Sequence, residues 1–134
     1  SVDGSSLMDL HSESNDWRQF VQGEHTTCYD HDHGMQYVTD GCEKYIWFHH
    51  TDQEQFFDLR CDPSESHNLA ADPAAADRID VWRKRLAQVN EERGDPRGQA
   101  GRLVAQPNGA LRLSPNYARW RDQAAQRMAH WQGR

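Results

Sequence analysis

The middle of the chain most constrains the fold, because extended patterns and turn signals alternate there at short spacing. Two runs rich in aromatic and β-branched residues, 35–39 and 44–48, flank Asp40 and Gly41, a dipeptide typical of tight hairpin turns. A third run, 55–59, follows after a short polar turn. Short links between successive extended segments predict an antiparallel meander.

A further strand is predicted before this meander, and the meander has a clear end. Residues 17–24 carry Phe20 and Val21 near their centre and predict the first of four strands. After the fourth strand, Asp62 and Pro63 end the sheet, because proline lacks the amide donor that a central ladder requires.

A helix is predicted over about residues 73–93. Asp72 can cap its first turn, Pro73 fits its first position, and Gly94 is placed to end it. A single apolar stripe, with spacings of three and four residues, is formed by Ile79, Trp82, Leu86 and Val89.

The remaining residues predict less regular structure. Residues 94–110 are rich in Gly and Pro and predict a loop, with a short extended pair around 103–104 and 111–113. Ser114 followed by Pro115 predicts a second helix. Its apolar face is formed by Tyr117, Trp120, Ala124, Met128 and Trp131.

These elements together predict an α+β fold. A linker or entry segment is expected over 1–16. A small four-stranded antiparallel β-meander packed against a helix is expected over 17–93, and a loop with a C-terminal helix over 94–134. Only 36% of the 134 residues are hydrophobic. This composition favours a thin sheet-and-helix layer that rests on something larger.

Charge and cysteine content exclude several classes of protein. The net charge is −6, whereas a nucleic-acid surface requires a basic stripe. No apolar stretch reaches the length of a membrane span, and no targeting segment is visible, so the localisation stays unassigned. Cys28, Cys42 and Cys61 are too few for a disulfide scaffold, so reduced thiols are expected.

Four phrases of the sequence, taken in order, resemble the closing segment of the sulfatases in the alkaline-phosphatase-like superfamily. They are VDG-SSL at 2–7, WR-x-x-V-x-GEH at 17–25, YVTDG-x-EKYIW at 37–47 and FDL-x-x-DP-x-E-x-x-NLA at 57–70. The last phrase is the most specific. In that superfamily the corresponding segment is a small four-stranded sheet with a packed helix at the end of an α/β main domain.

The resemblance implies that the main partner of this chain is a missing N-terminal sulfatase domain. In the family that domain carries a formylglycine, made in a Cys/Ser-x-Pro-x-Arg motif, and ligands for a divalent cation, usually calcium. In this chain Cys61 is followed by Pro63, but Glu65 stands where the motif requires arginine. We therefore predict no catalytic residue and no cofactor within this chain.

The resemblance places Glu24 and His25 near the rim of a substrate cleft, where they are candidates for substrate contact. Lys44 is a third candidate, because its ammonium group can attract an anionic sulfate ester, although a lysine there can also simply blunt a strand edge. The adjacent pair His49 and His50 is expected at a solvated strand end, with the two side chains pointing to opposite faces.

A metal site is a weaker interpretation of the polar loop after the first strand. His25, Cys28, His31 and His33 concentrate imidazole and thiolate groups that suit zinc, but their spacing matches no standard finger. A plain polar loop is the alternative. Asp30 and Asp32, the acidic side chains of the same loop, would bind other cations as well.

Two functions are consistent with the sequence. The first is a C-terminal fragment of a sulfatase, or of a related phosphonate monoester hydrolase, that completes the fold and borders the substrate cleft. The second is a non-enzymatic interaction or oligomerisation module that binds a partner, which includes a second copy of the chain, through aromatic helix faces. A strip of exposed aromatic residues would mark such a surface.

Overall fold

The computed structural model describes residues 18–25 and 31–109. The described part consists of one four-stranded sheet, one long helix and a small two-stranded hairpin. Its elements are β1 (Val21–His25), β2 (Met35–Thr39), β3 (Glu43–Phe48), β4 (Gln53–Asp58), a 3-10 turn (Pro73–Ala75), α1 (Ala76–Glu92), β5 (Gly98–Gln99) and β6 (Arg102–Leu103).

The four strands form an antiparallel sheet in the order β1-β2-β3-β4, which confirms the predicted meander. The second strand has the predicted bounds, and the third begins one residue early. The fourth strand begins at Gln53 instead of residue 55, because the preceding turn lies at 49–52 and closes on Asp52, whose φ is 58°. The first strand starts at Val21, and residue 17 lies outside the described residues.

The predicted turn at Asp40 and Gly41 is present, but it is longer than two residues. Thr39 pairs with Lys44 across the hairpin, so four residues lie between the paired positions. Gly41 has a φ of 85°, which glycine adopts without a steric penalty. The Asp40 carboxylate accepts hydrogen bonds from the amides of residues 42 and 43, both at 2.8 Å.

The core lies between one face of the sheet and α1. Val38, Tyr45 and Phe56 occupy paired positions on β2, β3 and β4, and all three are fully buried. The helix contributes three residues of the predicted stripe to the same cluster, namely Ile79, Trp82 and Leu86. Val89, the fourth, is only half-buried.

The helix begins and ends where the sequence predicts. The Asp72 carboxylate accepts a hydrogen bond of 2.9 Å from the Ala74 amide, and Pro73 occupies the first position. The first turn is a 3-10 turn, and α1 proper starts at Ala76. After the helix, Gly94 adopts a φ of 69°, the left-handed conformation that commonly terminates helices.

Charged residues also connect the helix to the sheet, in an arrangement that we call the ion-pair seam. Arg78 contacts the carboxylates of Glu43 at 2.6 Å and Asp58 at 3.0 Å. Arg83 donates two hydrogen bonds of 2.7 Å to Glu54. Such paired, charge-assisted hydrogen bonds are stronger than those between neutral groups. The seam complements a core that is built from few apolar residues.

The segment after the helix differs from the prediction. Leu103 lies in an extended pair, but its partner is Gly98, and residues 111–113 lie outside the described residues. Gly98 packs so closely on α1 that an added Cβ would lie 2.4 Å from the Ala87 carbonyl oxygen. The predicted second helix at 114–131 also lies outside the described residues. Within 18–25 and 31–109, the structure contains no helix suited to crossing a bilayer.

Candidate functional site

The candidate site lies at the end of the sheet where β1 finishes and the turn between β3 and β4 begins. Antiparallel pairing brings these positions together, because Glu24 pairs with Gln36, and Gln36 pairs with Trp47 two residues before the turn. His25 occupies the last position of β1 and pairs with Met35. Two of the three predicted substrate residues therefore share this end of the sheet.

Glu24 points toward the helix and is held by neighbouring side chains. Arg97 donates a hydrogen bond of 3.1 Å to its carboxylate, and Gln36 approaches the same oxygen at 3.5 Å. Arg97 is itself fixed by Asp95, at 2.9 Å, and these bonds hold the pKa of Asp95 below its usual value. The negative charge of Glu24 is thus balanced within the chain.

A buried amide pair supports this arrangement from below. Gln36 and Asn90 are both fully buried, and each side chain donates to the other at 2.9 Å. The pair satisfies two polar groups that would otherwise be costly to bury. It also connects the start of β2 to the last turns of α1, close to Glu24. No local pattern in the sequence predicts this pair, because the partners are 54 residues apart.

His25 lies on the opposite face of the sheet from Glu24, because successive residues of a strand point to opposite faces. Its side chain is exposed. The two neighbours therefore differ in role: Glu24 is engaged with Arg97 and Gln36, whereas the His25 ring is accessible. An imidazole can donate or accept a hydrogen bond near neutral pH.

Lys44 lies at the other end of the sheet and is not brought together with Glu24 and His25. It pairs with Thr39 at the β2–β3 hairpin. Its ammonium group donates to both carboxylate oxygens of Glu65 at 2.9 Å and lies 5.3 Å from the centre of the Tyr37 ring. Its charge is therefore engaged in fixing the segment that leads to the helix.

The prediction of a solvated strand end at His49 and His50 is wrong. Each residue is only 7% exposed. The reason is a long-range contact: the segment 104–109 packs over the β3–β4 turn, and the His50 ring nitrogen Nδ1 donates to the Gln106 carbonyl at 2.5 Å. The His31 ring stacks on His50, with centroids 4.0 Å apart.

The environment of His49 disfavours its charged form. Burial, followed by the nearby positive charge of Arg97 and the neighbouring His50, lowers the pKa of His49 to about 4. Glu24 and Asp95 act in the opposite direction but do not compensate. The His49 Nδ1 atom is buried and has no hydrogen-bond partner among the described residues. At neutral pH this ring is therefore uncharged.

The described residues do not reproduce the chemistry that sulfatases require for a formylglycine or a calcium ion. Cys42 and Cys61 are both exposed, and neither forms a disulfide. Asp62, next to Cys61, accepts a hydrogen bond of 2.8 Å from the His67 amide, and Glu65 is occupied by Lys44. Across 18–25 and 31–109, no three ligating side chains converge on a metal position.

The zinc interpretation depends partly on a residue that is not described. Cys28 lies outside the described residues. The His31 ring, a second member of the suggested set, contacts His50 and lies 3.1 Å from the Asp32 carboxylate. These contacts show His31 in a packed cluster of rings.

Two residues in the segment after β4 have structural roles. Asn68 accepts hydrogen bonds of 3.0 Å from the amides of Phe56 and Ala70, a side-chain to backbone bond that is common at turns. Glu65 has a φ of 54° and binds Lys44.

Comparisons with known proteins agree with this architecture. The chain is 37% identical over 105 residues to an arylsulfatase of Clostridium perfringens (strain 13 / Type A); the match covers 78% of the chain and 21% of that protein. A putative sulfatase from Bacteroides thetaiotaomicron superposes with a TM-score of 0.65 at 20% identity, over 85% of the chain and 23% of the structure.

A third comparison widens the range of activities that share this fold. The phosphonate monoester hydrolase of Agrobacterium radiobacter superposes with a TM-score of 0.55 at 20% identity, over 69% of the chain and 21% of that structure. No family model matches the chain. The chain thus spans about a fifth of the length of the relatives it matches.

Proposed function

We propose that the chain, which spans about a fifth of the arylsulfatase that it matches, forms the C-terminal subdomain of a sulfatase. In this role it completes the fold of a larger sulfuric ester hydrolase and borders its substrate cleft. The single observation that supports this most is the 37% identity over 105 residues, which cover 78% of the chain.

The extent of the matches supports a role as part of a larger protein. The chain spans 21% of the arylsulfatase and 23% of the putative sulfatase that it matches.

Within this proposal, His25 is the side chain that borders the substrate. It is exposed at the end of β1, and an imidazole can hydrogen-bond the organic part of a sulfate ester. Glu24 acts as a support beneath it, because its carboxylate is bound by Arg97 and Gln36. Lys44 has a structural role through Glu65.

The proposal is tested by comparing the 134-residue chain with the full-length protein. Hydrolysis of an aryl sulfate is expected from the full-length protein alone. In that protein, His25→Ala should lower kcat/KM about 10-fold, the effect of one lost substrate hydrogen bond of about 1.4 kcal/mol. His67→Ala is the matched control, because the His67 side chain is 82% exposed and lies in the segment after β4.

Three results would contradict the proposal. Turnover of the aryl sulfate by the isolated chain, with contaminating enzyme excluded, would place the reactive centre within it. Equal kcat/KM for His25→Ala and His67→Ala would remove His25 from the substrate contacts. Preference for a phosphonate monoester over the sulfate ester would assign the protein to the related hydrolases instead.

The second candidate function is an interaction module that works without the main domain. Val21 and Val81 are 46% and 54% exposed, and both are apolar. However, Trp82, the aromatic residue of α1, is buried in the core, and the aromatic face at 117–131 lies outside the described residues. Light scattering coupled to size exclusion discriminates the two: a defined monomer or dimer that unfolds cooperatively supports a module, and aggregation supports a subdomain.

A further inference from the structure

Three histidine rings are in contact at the end of the sheet that carries the candidate site, and we call them the histidine cluster. The ring centroids of His31 and His50 are 4.0 Å apart, and those of His50 and His49 are 4.2 Å apart, with the rings tilted by 32° and 60°. His49 and His50 belong to the β3–β4 turn, whereas His31 belongs to the loop before β2. The cluster therefore connects two segments that are separate in sequence.

Backbone hydrogen bonds extend the connection to a third segment. The His49 amide donates to the Gly34 carbonyl at 3.2 Å, and the Gln106 amide donates to the His49 carbonyl at 2.7 Å. The His50 ring returns a bond of 2.5 Å to the Gln106 carbonyl. Gly109 packs directly on the same ring, since an added Cβ would lie 2.4 Å from it. The two histidines thus fasten 31–34 on one side and 104–109 on the other.

Several charged groups lie around this histidine cluster. From the segment after α1, Arg97 disfavours a positive charge on His49, while Asp95 favours it; Glu24 of β1 also favours it. Asp32 lies 3.1 Å from the His31 ring. Burial dominates at His49, whose Nδ1 has no acceptor nearby within the described part of the chain. A proton on that atom would create a buried donor without a partner.

We propose that the β3–β4 turn, through His49, forms a proton-sensitive clamp, which holds the segments 31–34 and 104–109 against the end of the sheet while the His49 ring is neutral and releases them in acid. The unpartnered Nδ1 of His49 is tolerated only without its proton. A proton drives the His49 ring toward water, and the segments bonded to the turn separate with it. The clamp does not depend on the proposed enzymatic function.

The direction and size of the effect follow from linkage. The pKa of His49 is about 4 in the closed arrangement, against 6.5 for an exposed histidine. Below pH 6.5 the released state therefore binds more protons than the closed state, so release becomes more favourable as the pH falls. Between pH 7.5 and pH 5 the equilibrium constant for release should rise about 30-fold.

Hydrogen–deuterium exchange of the full-length protein tests the clamp. After correction for the intrinsic exchange rate, peptides covering 31–34 and 104–109 should lose about 30-fold in protection between pH 7.5 and pH 5. Peptides from the centre of α1 should not change. In His49→Phe, which keeps a ring but cannot titrate, the loss should disappear, whereas His67→Phe at an exposed position should behave as wild type.

The clamp is overturned if the two segments keep their protection at pH 5, or if His49→Phe still loses it. Should His49→Phe fail to fold, as judged by circular dichroism, His49→Gln provides the same test. A measurement on the wild-type protein needs no variant: NMR titration of the imidazole signals should place the pKa of His49 at least one unit below 6.5, the ordinary value for a histidine. A pKa of His49 at or above 6.5 would refute the clamp.

Discussion

The buried amide pair of Gln36 and Asn90 makes a sharp prediction about unfolding. Both residues are fully buried, and they exchange two hydrogen bonds of 2.9 Å. Gln36→Met and Asn90→Leu replace each amide by an apolar group of similar size. Either change alone leaves the other amide buried with two unmet hydrogen bonds, which should lower the free energy of unfolding by about 2 kcal/mol.

The double variant separates this reasoning from simple loss of contacts. When both amides are replaced, no polar group is left unpaired, and the free energy of unfolding should fall by only about 1 kcal/mol. Independent effects would add to about 4 kcal/mol, so the expected coupling is about 3 kcal/mol, at the upper end for contacting residues. The Gln36 change should be the larger single effect, because Gln36 also approaches Glu24 at 3.5 Å.

Urea denaturation followed by tryptophan fluorescence is a suitable assay. Trp47 and Trp82 are almost fully buried and report on the interface between sheet and helix. A series of protein concentrations keeps association out of the measured free energy. Gln88→Met is the matched control, because Gln88 bonds Glu92 at 2.8 Å on the exposed side of the helix and should change stability by less than about 0.5 kcal/mol. A double variant that loses the full sum would refute the reasoning.

The remaining predictions concern single side chains and use the same assay. Tyr45→Phe removes a buried donor to the Glu54 carboxylate at 2.5 Å and should cost about 1–2 kcal/mol. Gly94→Ala should lower the free energy of unfolding by about 1 kcal/mol, because alanine is disfavoured at a φ of 69°. No steric clash adds to this cost, since an added Cβ would meet no atom within 4 Å. Burial, the largest single effect, raises the pKa of Glu54, but the hydrogen bonds from Arg83 and Tyr45 and the charge of Arg83 together hold it below 4.5. The stabilisation is therefore present above pH 4.5 and is lost as the pH falls through the lowered pKa. Glu54→Gln should flatten this dependence, and an unchanged profile would contradict the assignment.

The sequence predicted those parts of the fold that depend on local signals. The runs around Val38, Tyr45 and Phe56 predicted three strands, because residues with high strand propensity stood between turn residues. The carboxylate of Asp72 and the conformational freedom of Gly94 defined the helix ends for reasons that involve only a few neighbouring residues. Such signals are visible without knowledge of tertiary structure.

The site was predicted less completely, because its properties depend on distant partners. From the sequence, His49 and His50 were expected as polar residues at a solvated strand end. In the structure they are buried where the segment of Gln106, 56 positions after His50, packs over the turn. Glu24 matched a family phrase, but its partner Arg97 lies in the loop after the helix, at a separation of 73 residues. No periodicity or motif marks such a pair in a single sequence.

The ion-pair seam has a mechanical consequence for the sheet and the helix. An apolar stripe alone would let the helix slide along the sheet, since a shift of one turn, about 5.4 Å, brings similar side chains into similar places. Arg78 and Arg83 oppose this movement, because their carboxylate partners at 2.6 and 2.7 Å would fall out of reach. A force on α1 is therefore expected to displace β3 and β4 together with the helix, because these ion pairs join them.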